Sequence, residues 1–216
     1  MPRRQVPFIS SHYYHFYNRG NNRQAVFFED DNYLYFLCGM KRCLMPVLSI
    51  IAYCLMPTHY HLLVRVKDID GASAVQTSEV FETSEVSAQV SRAMQKLLIS
   101  YTKAINKRFE RVGALFQGTF RAKAVTSEAY LLHLCRYIHA NPVKDGLVAD
   151  PADWPYSNYL EWIEERQGML VDRAFIRELL PDAENPTGAY RALVADYLRT
   201  RFLPEEVRTF LHEIAD

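Results

Sequence analysis

Residues 47–66 read VLSIIAYCLMPTHYHLLVRV, and this stretch decides the fold. Residues 47–55 are a run of aliphatic, β-branched and aromatic side chains, the composition of a strand. Pro57-Thr58 breaks the run, because proline has no amide hydrogen to offer a sheet. His59 to Val66 then forms a further strand. On a strand, alternate residues share a face. Tyr60, Leu62, Val64 and Val66 therefore make an apolar face, and His59, His61, Leu63 and Arg65 share the opposite one.

On the N-terminal side, Tyr33, Phe36, Leu37, Met40 and Leu44 recur at helical spacing and predict a helix over residues 30–43. Before it, residues 12–18 (HYYHFYN) are dense in aromatics and read as a strand, closed by the turn residues Arg19-Gly20-Asn21-Asn22. On the C-terminal side, residues 68–90 are polar and acidic, with TSEV occurring twice, and are expected to be a loop insertion. Val86, Val90, Met94, Leu97, Leu98, Tyr101, Ile105 and Phe109 step by threes and fours, predicting a long amphipathic helix. Its other faces carry Arg92, Lys96, Lys103, Lys107 and Arg108.

Gly113 ends that helix, and residues 115–125 (LFQGTFRAKAV) read as a strand or strand pair. Ser127 is expected to cap a helix running to about residue 140, stopped by Pro142. The order β-α-β-β-α-β plus a helix is the α+β, ferredoxin-like (split βαβ) plan, an antiparallel sheet with helices on one face. Beyond residue 150 the pattern becomes helical, at 159–166, 173–180, 189–202 and 205–214, broken by Gly168, Pro181 and Pro204. The expected organisation is a domain over residues 1–155 and an acidic helical C-terminal appendage over 156–216.

Composition narrows the class. The 216 residues are 49% hydrophobic and 13% aromatic, which excludes a disordered, collagen-like or low-complexity chain. Lys and Arg number 25 and Asp and Glu 25, so the formal net charge of zero argues against a uniformly basic surface. The sum hides an asymmetry: residues 1–91 are neutral, 92–144 carry +8 and 145–216 carry −8. A basic middle segment fits either a polyanion-binding region or a basic helix facing an acidic one. The four cysteines show no CxxC pair and sit in apolar stretches, as reduced, buried thiols of a cytosolic protein would. The basic N-terminus lacks an apolar segment behind it, and the longest apolar stretch is about half a membrane span. A soluble, cytoplasmic protein is expected.

Two constellations carry chemistry. His59 and His61 project from one strand face, a few ångströms apart. Such a pair chelates a divalent cation or clasps an anion, and it also occurs as two hydrogen-bonded surface histidines. On the helix around residue 137, Leu131, Leu134, Cys135 and Ile138 form the core stripe. Tyr130, His133, Tyr137 and Asn141 form a second stripe. A phenol and a carboxamide four residues apart face one shared site, where the Asn oxygen suits magnesium or manganese. The alternative is a half-buried tyrosine beside an asparagine that ends the helix before Pro142.

In series, these motifs resemble a known family. Met56-Pro57-Thr58-His59-Tyr60-His61-Leu62-Leu63-Val64 resembles the histidine motif of single-tyrosine HUH transposases. Arg136-Tyr137-Ile138-His139-Ala140-Asn141-Pro142-Val143, continuing to Gly146-Leu147-Val148, resembles the nucleophile motif of their REP-associated branch. Tyr17-Asn18-Arg19-Gly20-Asn21, the helix from Met94 to Tyr101, residues 113–120 and Asp153-Trp154-Pro155-Tyr156-Ser157 agree in the same order. The resemblance spans about residues 12–160.

It implies a nuclease that cuts and rejoins single-stranded or hairpin DNA through a 5′-phosphotyrosine intermediate. Tyr137 would be the nucleophile, and His59, His61 and Asn141 the ligands of Mg2+ or Mn2+. The basic residues Arg19, Arg65, Lys103, Arg108, Arg121 and Lys123 are expected to contact DNA. One tyrosine implies either a homodimer or a monomer acting twice. The sequence departs from the family at Asn141, where insertion-sequence relatives have glutamine. It departs also at Thr58, where asparagine is frequent, and at Thr119, where arginine is. Two other readings compete: a non-catalytic hairpin-binding protein, and a metal-dependent phosphoesterase using water. The −8 tail is expected to lie near the basic groove and limit unproductive DNA binding.

Overall fold

The hairpin at residues 47–66 is formed by β2 (Leu48–Met56) and β3 (His59–Val66). The computed structural model describes residues 7–68, 79–171, 175, 178–180, 183–205, 207–209 and 211. β1 (Tyr13–Arg19) lies between β3 and β4 (Arg121–Val125), giving a four-stranded sheet in the order β2-β3-β1-β4. Every pairing is antiparallel, the ferredoxin-like arrangement.

α1 (Asp30–Cys43) and α2 (Glu79–Arg108) pack on one face. There Phe36 and Met40 of α1 and Met94 and Tyr101 of α2 bury Phe16, Tyr60 and Leu62. The other face is not open. α3 (Glu128–Lys144), α4 (Tyr159–Trp162) and α5 (Pro186–Thr200) belong to a second core with Ala52, Cys54, Met56 and Leu63. β2 is the physical reason. A bulge between Ile50 and Ala52 turns Ile51, Ala52, Cys54 and Met56 to this second face, and four apolar side chains there require cover. Helices on one face thus describe α1 and α2, while α3 and the appendage line the other.

Three local readings are corrected. The expected loop at 68–90 holds only in part, because α2 begins at Glu79; residues 69–78 lie outside the described residues. Val86 and Val90 are buried against the sheet, so the helical period extends into the acidic stretch. Of residues 115–125 only Arg121–Val125 is a strand, and Phe116 makes an isolated bridge to Gly20. Gly113 and Gly118, both at positive φ, turn the chain between α2 and β4. α3 does not stop at Pro142 but runs to Lys144. Proline removes a single amide bond within the last turn, and the Asp145 N–H still donates to the Asn141 carbonyl. Ser127 occupies the N-cap position, yet its side chain makes no capping hydrogen bond.

The boundary expected at 155/156 falls inside a packed region. The Tyr156 ring stacks on Tyr33 with centroids 3.7 Å apart, and the Leu55 N–H donates to the Tyr156 carbonyl at 2.9 Å. Tyr190, Val194 and Tyr197 of α5 share one core with Ile138 and Trp162. Three acidic residues of the appendage find partners within it: Glu161 with Arg166, Glu165 with Arg191 and Asp196 with Arg199. The expected helices at 173–180 and 205–214 are described only in part.

Candidate active site

β1 and β3 are paired in register, Tyr17 opposite His61 and Arg19 opposite His59. β4 adds Arg121 opposite Tyr17 and Lys123 opposite His15. Strand alternation therefore puts His15, Tyr17, Arg19, His59, His61, Arg121 and Lys123 on one sheet face. α3 crosses that face and brings Tyr137 to it. The result is a cavity of about 270 Å³ lined by His59, His61, Tyr137, Tyr17, Thr58, Gln117 and three arginines, Arg19, Arg23 and Arg121.

The two imidazoles are held, not merely exposed. Their ring centroids are 5.1 Å apart. His61 is buried, and its Nδ1 is hydrogen-bonded to His15 Nε2 at 3.0 Å. His59 Nδ1 lies 3.0 Å from Thr58 Oγ1. Burial, before any neighbouring charge, lowers the pKa of both rings, that of His61 well below the ordinary value. Both are neutral at pH 7, with Nδ1 engaged, so Nε2 is the nitrogen left for a ligand. Neutral imidazoles oriented through their second nitrogen are the usual donors to a divalent cation, and the pair fits one.

Tyr137 meets His61 edge-on, ring centroids 5.9 Å apart. Burial, then Tyr197 and Asp145, push its phenol up to about 12, so it carries its proton at neutral pH. Lys144 Nζ lies 4.1 Å from the centroid of the same ring.

The remaining expected residues divide. Arg19 and Arg121 line the cavity, and Lys123 lies next to His15 on the same face. Arg65 is further along β3, where its Nη2 donates to Ser11 Oγ at 3.3 Å and its guanidinium covers Tyr13. Lys103 and Arg108 are on α2, behind the sheet, and Arg108 pairs with Glu29 at 3.2 Å. Asn141 is buried four residues beyond Tyr137 but is not among the residues lining the cavity, and its side-chain Nδ2 has no hydrogen-bond partner among the described residues. Among the described residues no three His, Cys, Asp or Glu side chains cluster as a metal site.

Sequence reasoning missed His15, Tyr17, Arg23, Gln117 and Lys144. The alternation in HYYHFYN puts His15 and Tyr17 on one face, but only the pairing of β1 with β3 reveals that it is the face of His61.

Fold and site together define an α+β protein with a ferredoxin-like sheet, a histidine pair and a facing tyrosine in an arginine-lined cavity. The particular likeness is to REP-associated tyrosine transposases. A protein of Haemophilus influenzae named as a REP-associated tyrosine transposase is 28% identical over 109 residues, 50% of this chain. The match spans 57% of that relative's length. The solved structure of a REP-associated tyrosine transposase bound to a REP hairpin superimposes with a TM-score of 0.56 and 17% identity, covering 80% of this chain and 98% of that one. A bacterial tRNA(His) guanylyltransferase-like protein in complex with GTP follows at a TM-score of 0.38 and 10% identity over 66% of this chain and 71% of its own, too distant to inform the site. No family model matches the chain. Among the described residues no helix is long and apolar enough to cross a membrane.

Proposed function

We propose that this chain is a cytoplasmic DNA transposase or single-strand endonuclease that binds hairpin or single-stranded DNA and cleaves and rejoins it. Tyr137 is the nucleophile. The observation that carries the reading is the contact of the Tyr137 ring with His61, inside a cavity lined by three arginines. A phosphodiester repels nucleophiles by its negative charge, and Arg19, Arg23 and Arg121 offset that charge and orient the phosphate. Tyr137 Oη attacks phosphorus, the bond to the 3′ oxygen breaks, and a 5′-phosphotyrosine remains. The phosphotyrosine conserves the bond energy, so a free 3′-hydroxyl reverses the step, as cut-and-rejoin chemistry requires.

His59 and His61 would hold Mg2+ or Mn2+, with Asn141 as the expected third ligand. When bound, the cation supplies Lewis-acid polarisation of a non-bridging phosphate oxygen. His15 and Thr58 orient the two imidazoles from behind.

The test uses the full chain, a 3′-labelled hairpin oligonucleotide and magnesium or manganese, followed by a denaturing gel. A label shifted to protein size and abolished by Tyr137→Phe is the expected result. An adduct that persists in Tyr137→Phe overturns the nucleophile. Cleavage without an adduct points to water as the nucleophile, and retention without cleavage to a hairpin-binding protein.

A further inference from the structure

Lys144 is the last residue of α3, seven residues or about two turns beyond Tyr137, so the two share one helix face. Helical side chains lean toward the N-terminus, which carries the long Lys144 stem back over the phenol. This depends on α3 continuing through Pro142; a helix ending at residue 140 would not set Lys144 on that face. The ammonium lies 4.1 Å from the centroid of the Tyr137 ring. Among the described residues, no carboxylate oxygen lies within ion-pair distance of it.

We propose that Lys144 is a catalytic residue of this site, its ammonium stabilising the Tyr137 phenolate as it forms; this rests on the reading of Tyr137 as the nucleophile. A neutral phenol attracts a cation only through its ring quadrupole. A phenolate spreads a full negative charge over oxygen and ring, so the attraction grows as the proton leaves. An interaction stronger in the transition state than in the ground state accelerates the step. The site is partly dry, which strengthens it further. In the balanced step, the bond from Tyr137 Oη to phosphorus forms and the bond from phosphorus to the 3′ oxygen breaks. The phenol proton ends on the departing 3′ oxygen, directly or through solvent.

The groups facing the ammonium set its charge. Burial lowers its pKa to about 8, Asp145 opposes that shift and Arg201, just after α5, adds to it. His59 and His61 of β3 lie within its electrostatic reach and are neutral, and the Tyr197 phenol of α5 lies within the electrostatic reach of Tyr137. The ammonium is thus charged at neutral pH and lost as the pH rises through that value.

The experiment compares native protein with Lys144→Met and Lys144→Arg, reading the single-turnover rate of adduct formation against pH and hairpin affinity separately. Lys144→Met should slow adduct formation on the order of tenfold to a hundredfold. Its hairpin affinity should change by less than about threefold, since the role is in the chemical step. Lys144→Arg should recover the rate. The ratio of the native rate to that of Lys144→Arg should fall as the pH rises through about 8, because only the lysine loses its charge. Lys144→Met reacting at the native rate overturns the proposal, as does an affinity loss with an unchanged rate, or Lys144→Arg as slow as Lys144→Met. Tyr137→Phe run alongside separates the failures: an adduct there removes the nucleophile, whereas a Tyr137-dependent adduct indifferent to Lys144 removes only the present proposal.

Discussion

His15 and His139 are both fully buried and both neutral, and each earns its place through hydrogen bonds to a different part of the molecule. His15 backs His61. His139 joins three elements: its Nε2 is 2.8 Å from Asn158 Oδ1 and its Nδ1 is 2.5 Å from the Tyr190 hydroxyl. Asn158 Oδ1 also accepts the Tyr53 N–H at 2.6 Å, so the imidazole hydrogen sits on Nε2 and Nδ1 accepts from Tyr190. Burial depresses the pKa of His139 to about 4 and that of His15 to about 3. The unfolded chain, with ordinary histidines, binds more protons than the folded one between pH 6.5 and 4. Stability is therefore complete above pH 6.5 and lost as the pH falls through this window, by on the order of 3 kcal/mol for His139. Urea denaturation at pH 7 and pH 5 checks this. A midpoint that does not fall with pH would contradict it, and His139→Asn should flatten the slope.

Among the elements, the turn after β1 is the most constrained. A Cβ on Gly20 would lie 1.9 Å from the Gln24 carbonyl oxygen, a backbone atom that cannot step aside. The Gly20 N–H donates to the Thr58 carbonyl at 2.8 Å, so this turn also sets the entry to His59. Gly20→Ala should cost about 1–3 kcal/mol, measured by thermal or urea unfolding, and slow adduct formation. The turn residues were legible in the sequence; the contact with Thr58 was not, because Thr58 meets Gly20 only through the pairing of β1 with β3, whereas the approach to Gln24 is made within the short helical turn at Asn21–Arg23. In the same way, the helical period marked α3 and its core stripe, while its true end past Pro142 was set by packing and by the remaining hydrogen bonds of the last turn.

At the scale of the whole molecule, α5 covers α3. Trp162, Tyr190 and Val194 are almost wholly buried in the core that holds Ile138 and Cys135. Removing the chain after residue 160 strips these side chains from α3, at about 1.5–3 kcal/mol for each large one. The truncated protein should be destabilised by several kcal/mol, enough to threaten folding in a marginally stable chain. Circular dichroism and urea unfolding test this. A truncation that folds as stably as the full chain would restore the picture of a detachable tail. Three described acidic side chains of the appendage, Glu161, Glu165 and Asp196, pair with its own arginines.

By itself, the sequence determined what local chemistry can determine. Periods of two and 3.6 specified the strands and helices and their order, and hence the split βαβ plan. The same patterns placed His59 with His61 on one strand face and Tyr137 with Asn141 on one helix stripe, and the resemblance of the motifs singled out Tyr137. Tertiary structure alone decided which faces meet. The β2 bulge and the second core put α3 across the histidine face, strand register brought His15 behind His61 and Arg121 beside Tyr17, and α2 carried Lys103 and Arg108 behind the sheet. The reason is physical: periodicity fixes which side of an element a residue occupies, whereas the partner of that side depends on contacts between residues far apart in the chain.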